Sequence, residues 1–212
     1  MIPTLAERRL YGILDLGYCA PAAALETARA MLAGGVQILQ LRAKKLTPAE
    51  ILPLAQNLAP LCRVAGVPFI LNDHPELVGP AGADGVHVGQ DDLSPAEARR
   101  LAGPGKLVGL STHSPAQARA AFAQKPDYIG FGPLFSTPTK PDYTPIGTAD
   151  IADVHRDAPL PIYCIGGIKL ENLAQILATG AQRVVIVSGI LQAPDISAYC
   201  ADCLRLLRGN WR

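Results

Sequence analysis

Val36-Gln37-Ile38-Leu39-Gln40-Leu41-Arg42-Ala43-Lys44 is an aliphatic run of strand length that ends in polar and cationic groups. Working outward, the same pattern recurs along the chain. The apolar runs are Arg9–Asp15, Val36–Leu41, Pro68–Leu71, Gly85–Val88, Leu107–Leu110, Tyr128–Phe131, Ile162–Ile165 and Arg183–Val187. Each is nearly continuous rather than alternating, which is how parallel strands buried on both faces read. Ala- and Leu-rich stretches lie between them. Pro21–Ala33, Pro48–Ala65 and Pro115–Ala123 each open with a proline suited to a first helical turn. Thr47, Ser94 and Ser114 stand where N-caps belong, and Gly34-Gly35, Gly66 and Gly180 follow Ala-rich runs as helix ends.

Eight strands alternating with helices predict a single (β/α)8 TIM barrel over residues 1–212. A doubly wound open sheet shares the local pattern but uses mainly its switch point. Here polar groups follow several different strands, which a barrel collects around one mouth. The long connection Gly132–Gly147, after the sixth run, lacks periodicity and reads as a functional loop that could close as a lid.

Composition narrows the function. Of 212 residues 49% are hydrophobic and 17% charged, with a net charge of +1, so a large core is affordable and extended disorder is not expected. That charge balance gives no support for a nucleic-acid or membrane-surface partner. No apolar run reaches membrane-spanning length and no signal-like leader opens the chain, so a cytoplasmic protein is expected. Five scattered cysteines argue against a disulfide framework. Cys200 and Cys203 form a C-x-x-C on an amphipathic helix with no second ligand pair nearby, a structural placement rather than a zinc site.

The chemistry resides in the residues after the strands. Strand alternation turns Gln40, Arg42 and Lys44 the same way, and two inward cations call for an anion such as phosphate or pyrophosphate. Asn72 and Asp73 follow the third run, and Asp91 and Asp92 the fourth. Carboxylates on neighbouring strand ends can share Mg²⁺ with substrate phosphates. The residue pattern leaves Asp91 and Asp92 unseparated, and Asp92 also fits a helix-start charge. His87 reads as a core or supporting histidine. Ser111 and His113 follow the fifth run, and Thr137, Pro138, Thr139 and Lys140 lie in the long loop. No nucleophile–base arrangement surrounds His113, so a hydrolase triad is not expected. Gly166-Gly167 after the seventh run and Ser188-Gly189 after the eighth occupy the positions of a barrel phosphate site.

Taken in order, Gln-x-Arg-x-Lys, Asn-Asp, Gly-Val-His-Val-Gly-Gln-Asp-Asp, Gly-x-Ser-x-His, Gly-Pro-Leu-Phe-x-Thr-x-Thr-Lys, Ile-Gly-Gly-Ile and Val-Ser-Gly-Ile resemble the thiamine-phosphate synthase family, from about Tyr11 to Leu207. The resemblance implies a transferase joining hydroxymethylpyrimidine pyrophosphate to a thiazole phosphate with release of pyrophosphate. It implies that Gln40, Arg42, Lys44, Asn72, Ser111 and Lys140, with Leu41 and Ala43 of the same stretch, bind the pyrimidine substrate. Arg42, Lys44, Ser111 and Lys140 are the implied catalytic groups. Mg²⁺ is implied at Asp73 and Asp92, the latter matching the second acid of its motif. The thiazole phosphate is implied at Thr137, Pro138, Thr139, Gly167, Val187 and Ser188. Cys164 departs from the small residue common in relatives, and residues 141–145 map least well. The related thiazole tautomerase lacks the pyrophosphate and metal residues, and Pro133 stands where its pattern has a catalytic histidine. A non-catalytic phosphate-binding barrel is the alternative from another class, and a homo-oligomer stays open.

Overall fold

The apolar runs become eight parallel strands: β1 Leu10–Asp15, β2 Ile38–Arg42, β3 Phe69–Asn72, β4 Gly85–Val88, β5 Leu107–Thr112, β6 Tyr128–Phe131, β7 Ile162–Cys164 and β8 Val184–Ile186. They close into a barrel in sequence order, with β1 hydrogen-bonded to both β2 and β8. This is the (β/α)8 barrel expected from the sequence. The computed structural model describes residues 4–137, 144–156 and 158–209.

Alternation along each strand separates two cores. Tyr11, Ile13, Ile38, Ile70, Tyr128, Tyr163 and Val185 pack together inside the barrel. Their neighbours Leu10, Leu14, Leu39, Leu41, Leu71 and Val86 face outward into the layer shared with the helices. Each such aliphatic side chain, fully buried, contributes about 1.5–3 kcal/mol. Both strand faces are therefore apolar, which is why the runs show no polar alternation.

The helices include α1 Ala24–Ala33, α2 Pro48–Ala65, α3 Val78–Ala81, α4 Pro95–Ala102, α5 Pro115–Ala123, α6 Ile151–Arg156, α7 Leu170–Ala178, α8 Ser188–Leu191 and α9 Ile196–Gly209. The proline-led stretch at Pro21 begins with a 3₁₀ turn, Pro21–Ala23, before α1 starts. The hydroxyls of Ser94 and Ser114 accept the Glu97 and Gln117 amides at 3.3 and 3.1 Å, so both are the N-caps foreseen. At Thr47 the amide and hydroxyl both donate to the Glu50 carboxylate, at 2.8 and 2.7 Å. Cys200 and Cys203 are fully buried on α9, and burial pushes both thiols up to about 12. They are packing residues. No helix among the described residues is long and apolar enough to cross a membrane.

Candidate active site

A cavity opens at the carboxyl ends of the strands, and every strand or the turn after it contributes. Its wall includes Ile13 from β1, Gln40 and Arg42 from β2, Asn72 from β3, His87 from β4, Ser111 from β5 and Gly130 from β6. Ile165, Gly166 and Gly167 follow β7, and Val185, Val187 and Ser188 come from β8 and the turn after it. Barrel order divides this wall. The polar groups of β2 to β5 occupy one arc, and the glycine-rich turns after β7 and β8 occupy another.

Gln40 and Arg42 point inward as alternation requires. The Arg42 guanidinium donates to Asp15 at 2.7 Å, and Asp15 is held in turn by the Gly17 amide at 2.8 Å. Asp15 is 2% exposed, so a buried carboxylate fixes the cation that faces the cavity. In the sequence Asp15 stands at a strand end with no role legible from its neighbours. Its signal was its position, a charge closing β1 as Arg42 closes β2.

Lys44 departs from the alternation argument. The strand ends at Arg42, the chain turns with the Leu46 amide bonded to the Ala43 carbonyl, and Lys44 pairs with Asp73 at the rim instead of lining the cavity. Leu41 and Ala43 are buried in the barrel–helix layer, so their side chains face away from the cavity.

Asp73 takes a φ of 65°, a left-handed conformation rare for non-glycine residues and often kept at functional sites. Its amide donates to the His87 carbonyl at 2.9 Å, which ties the loop after β3 to the end of β4. Asp92 lies on the next loop and accepts the Gly89 amide at 2.7 Å. Ser94, not Asp92, caps α4. Asp91 is exposed on the same turn. Among the described residues no three His, Cys, Asp or Glu side chains gather as an all-protein metal cage.

His87 lies between two polar neighbours, with Nε2 at 2.9 Å from the Ser111 hydroxyl and Nδ1 at 3.3 Å from the Tyr128 hydroxyl. It is a supporting histidine, as its place within the fourth run predicted. The His113 ring bonds through Nδ1 to the Gly132 carbonyl. Thr137 lines the cavity, while Pro138, Thr139 and Lys140 fall outside the described residues. The stem of that loop is pinned. Leu134 and Phe135 donate to the carbonyls of Ile165 and Gly166, and Ile146 and Gly147 donate to those of Pro133 and Leu134. Gly167 takes a φ of 67°, and a Cβ there would stand 2.6 Å from Phe135 Cβ. Only glycine fits that approach between the two loops.

Known proteins carry the same frame. The sequence model of a family described as thiamine monophosphate synthase matches residues 10–190. Thiamine-phosphate synthase of Thermus thermophilus is 47% identical over 175 residues, covering 82% of this chain and 84% of that protein. The chain belongs to the thiamine monophosphate synthase family. The thiamine-phosphate synthase of Pelotomaculum thermopropionicum is 40% identical over 195 residues, covering 92% of this chain and 89% of that protein. Among solved structures, thiamine phosphate pyrophosphorylase from Pyrococcus furiosus superposes with a TM-score of 0.88 at 26% identity, over 96% of this chain and 97% of that one. The family match spans every strand of the barrel, so the residues of the mouth lie within it.

Proposed function

We propose that this chain joins hydroxymethylpyrimidine pyrophosphate to a thiazole phosphate, forming thiamine phosphate and pyrophosphate. One observation carries the reading: a single cavity faces Gln40, Arg42, Asn72 and Ser111 on one arc and Gly167, Val187 and Ser188 on another. Two anionic substrates then meet across the mouth of the barrel. The pyrimidine pyrophosphate lies on the first arc, with Arg42 donating to the pyrophosphate and Lys44 at the rim above it. The thiazole phosphate lies against the turns after β7 and β8, where glycine lets the backbone approach.

The donor set of Asp73 and Asp92 fits a hard divalent cation. It offers carboxylate oxygens on adjacent loops, few enough that phosphate oxygens and water complete the shell. Asp73 and Asp92 would hold Mg²⁺ there, and the ion would supply charge neutralisation for the leaving pyrophosphate. This chain's own residues do the rest. Arg42, held by Asp15, and Lys44 with Lys140 stabilise the departing anion. Departure leaves a methylene cation stabilised by the amino-pyrimidine ring, and the thiazole nitrogen attacks it. No protein nucleophile takes part. The protein's remaining work is alignment and exclusion of water from the cation, to which the apolar wall of Ile13, Ile165, Ile168 and Val185 contributes. The five free thiols suit a reducing compartment such as the cytoplasm.

Purified protein given both substrates and Mg²⁺ should form thiamine phosphate and pyrophosphate in equal amounts, and chelation should stop it. Absence of product with both substrates and metal present would overturn the proposal.

A further inference from the structure

A chain of hydrogen bonds joins Gln40 to Ser111 through Tyr11 and Tyr128, which lie beneath the cavity floor, and His87, which lines it. Gln40 Nε2 lies 2.6 Å from the Tyr11 hydroxyl, and that hydroxyl lies 3.0 Å from the Tyr128 hydroxyl. Tyr128 reaches His87 Nδ1 at 3.3 Å, and His87 Nε2 reaches Ser111 Oγ at 2.9 Å. Tyr128 is fully buried, with its ring packed edge-on against Tyr11 and Tyr163. The backbone makes room for this link at Gly109, where a Cβ would fall 2.2 Å from Tyr128 Cζ and 2.4 Å from His87 Nδ1.

We infer that Tyr128 is a positioning residue that couples the polarity of Gln40 to that of Ser111. The inference rests on the placement of the pyrimidine on this floor. Each tyrosine has one hydroxyl hydrogen and a neutral imidazole has one N–H, so the chain runs in one of two directions. In the first, the Gln40 amide nitrogen donates to Tyr11, Tyr11 to Tyr128, Tyr128 to His87 Nδ1, and His87 Nε2–H to Ser111. The Ser111 hydrogen is then left for the ligand, and Gln40 Oε1 is left to accept. In the second, the Gln40 amide is turned over and every bond reverses. Ser111 then accepts from the ligand and Gln40 donates. A mixed arrangement sets two hydrogens or two lone pairs against each other, which is costly at the fully buried Tyr11 and Tyr128 hydroxyls. The floor therefore presents one donor and one acceptor together, and the ligand class it selects carries both on one flat ring. An aminopyrimidine, with an exocyclic amine beside a ring nitrogen, is such a ligand.

The test is a pair of double-mutant cycles read by titrating hydroxymethylpyrimidine pyrophosphate alone. Gln40→Met and Ser111→Ala are combined, first with Tyr128 present and then in Tyr128→Phe. With Tyr128 present, the loss in the double variant should differ from the product of the single losses by about fivefold or more. In Tyr128→Phe the two losses should multiply to within about twofold. A merely structural role for Tyr128 would lower all affinities together and leave the coupling intact, and that result would overturn the inference. If Tyr128→Phe fails to fold, Tyr11→Phe cuts the same chain one step away. If neither single change weakens binding, the pyrimidine does not sit on this floor and the inference falls with that placement. If both weaken it yet multiply with Tyr128 present, the placement stands and the coupling is wrong.

Discussion

At the end of the barrel where the strands begin, Arg8 donates to the carbonyls of Gln37 and Gly66 at 2.6 and 3.0 Å, and Arg183 donates to that of Ala6 at 3.2 and 2.7 Å. Asp84 and Asp127 accept the amides of Phe69 and Val108, and the Tyr163 hydroxyl reaches the carbonyls of Leu5 and Arg8. Polar side chains here finish the hydrogen bonding of the backbone. At the end where the strands finish, Arg42 pairs with Asp15, Lys44 with Asp73, and His87 with Ser111 beside an open cavity. Cations matched to carbonyls of their own chain have no remaining task. Cations matched to carboxylates at a cavity keep donors for a ligand. The cavity beside the pair, more than burial or partner type, separates support from function, because Arg183 and Asp15 are both buried and Arg99 pairs with Asp127 at the base.

The sharpest way to break this contrast is to remove one cation from each end. Arg42→Ala should lower kcat/KM for the pyrimidine pyrophosphate by about 10²–10³, the scale for losing a donor to developing negative charge. Its melting temperature should fall by several degrees as well, because the buried Asp15 carboxylate loses its cation and keeps only the Gly17 amide, so the fall in kcat/KM is what marks the mouth. Asp15→Asn should cost less, about tenfold, because the guanidinium remains but is held less firmly. Steady-state kinetics beside a thermal melt read both. A large fall in Tm for Arg42→Ala with kcat/KM preserved would erase the distinction between the two ends.

Arg183→Met should lower stability and spare turnover. It leaves the Ala6 carbonyl without its charged donor, a loss of about 2 kcal/mol. For a chain of this size that lowers Tm by about 4–8 °C, while kcat should stay within about twofold. Loss of turnover in a folded Arg183→Met protein would show that the base of the barrel reaches the chemistry.

Within the mouth, Gly167→Ala sharpens the division between arcs. The left-handed backbone costs about 1–2 kcal/mol for a residue with a Cβ, and the approach to Phe135 adds crowding. The KM for thiazole phosphate should rise about tenfold, with the pyrimidine KM within about twofold. Equal rises for both substrates would merge the two arcs into one site.

What the sequence disclosed follows from which physics is local. The α2 and α5 spans and β4 and β6 coincide with their predicted limits, because prolines, caps and short aliphatic runs mark them directly. β8 is shorter than its run Arg183–Val187. At its far end Val187 leaves the extended region at φ −115° and ψ −86°. Gln40 and Arg42 were legible because alternation holds within a strand, and Lys44 was misplaced because it does not survive the turn. The role of Asp15 and the chain through Tyr11 and Tyr128 depend on the β1–β2 register and on contacts between distant strands, neither of which a linear pattern carries.

Cys164 gives the smallest effect and the closest test of facing against nearness. It stands two residues before Gly166 at the mouth, yet its side chain packs fully buried in the barrel–helix layer. Burial pushes its thiol up to about 12, so at neutral pH it is an inert thiol rather than a nucleophile. Cys164→Ala removes one buried heavy atom, so it should cost about 1 kcal/mol through a small cavity, with kcat and both KM values unchanged. Alkylation at pH 8 should reach the half-exposed Cys19 first and leave Cys164 untouched until the protein unfolds. Mass spectrometry of partly labelled enzyme, beside kinetics of the variant, reads both. Rapid labelling of Cys164 that thiazole phosphate prevents would place this side chain in the cavity and give the arc after β7 a group that its packing denies it.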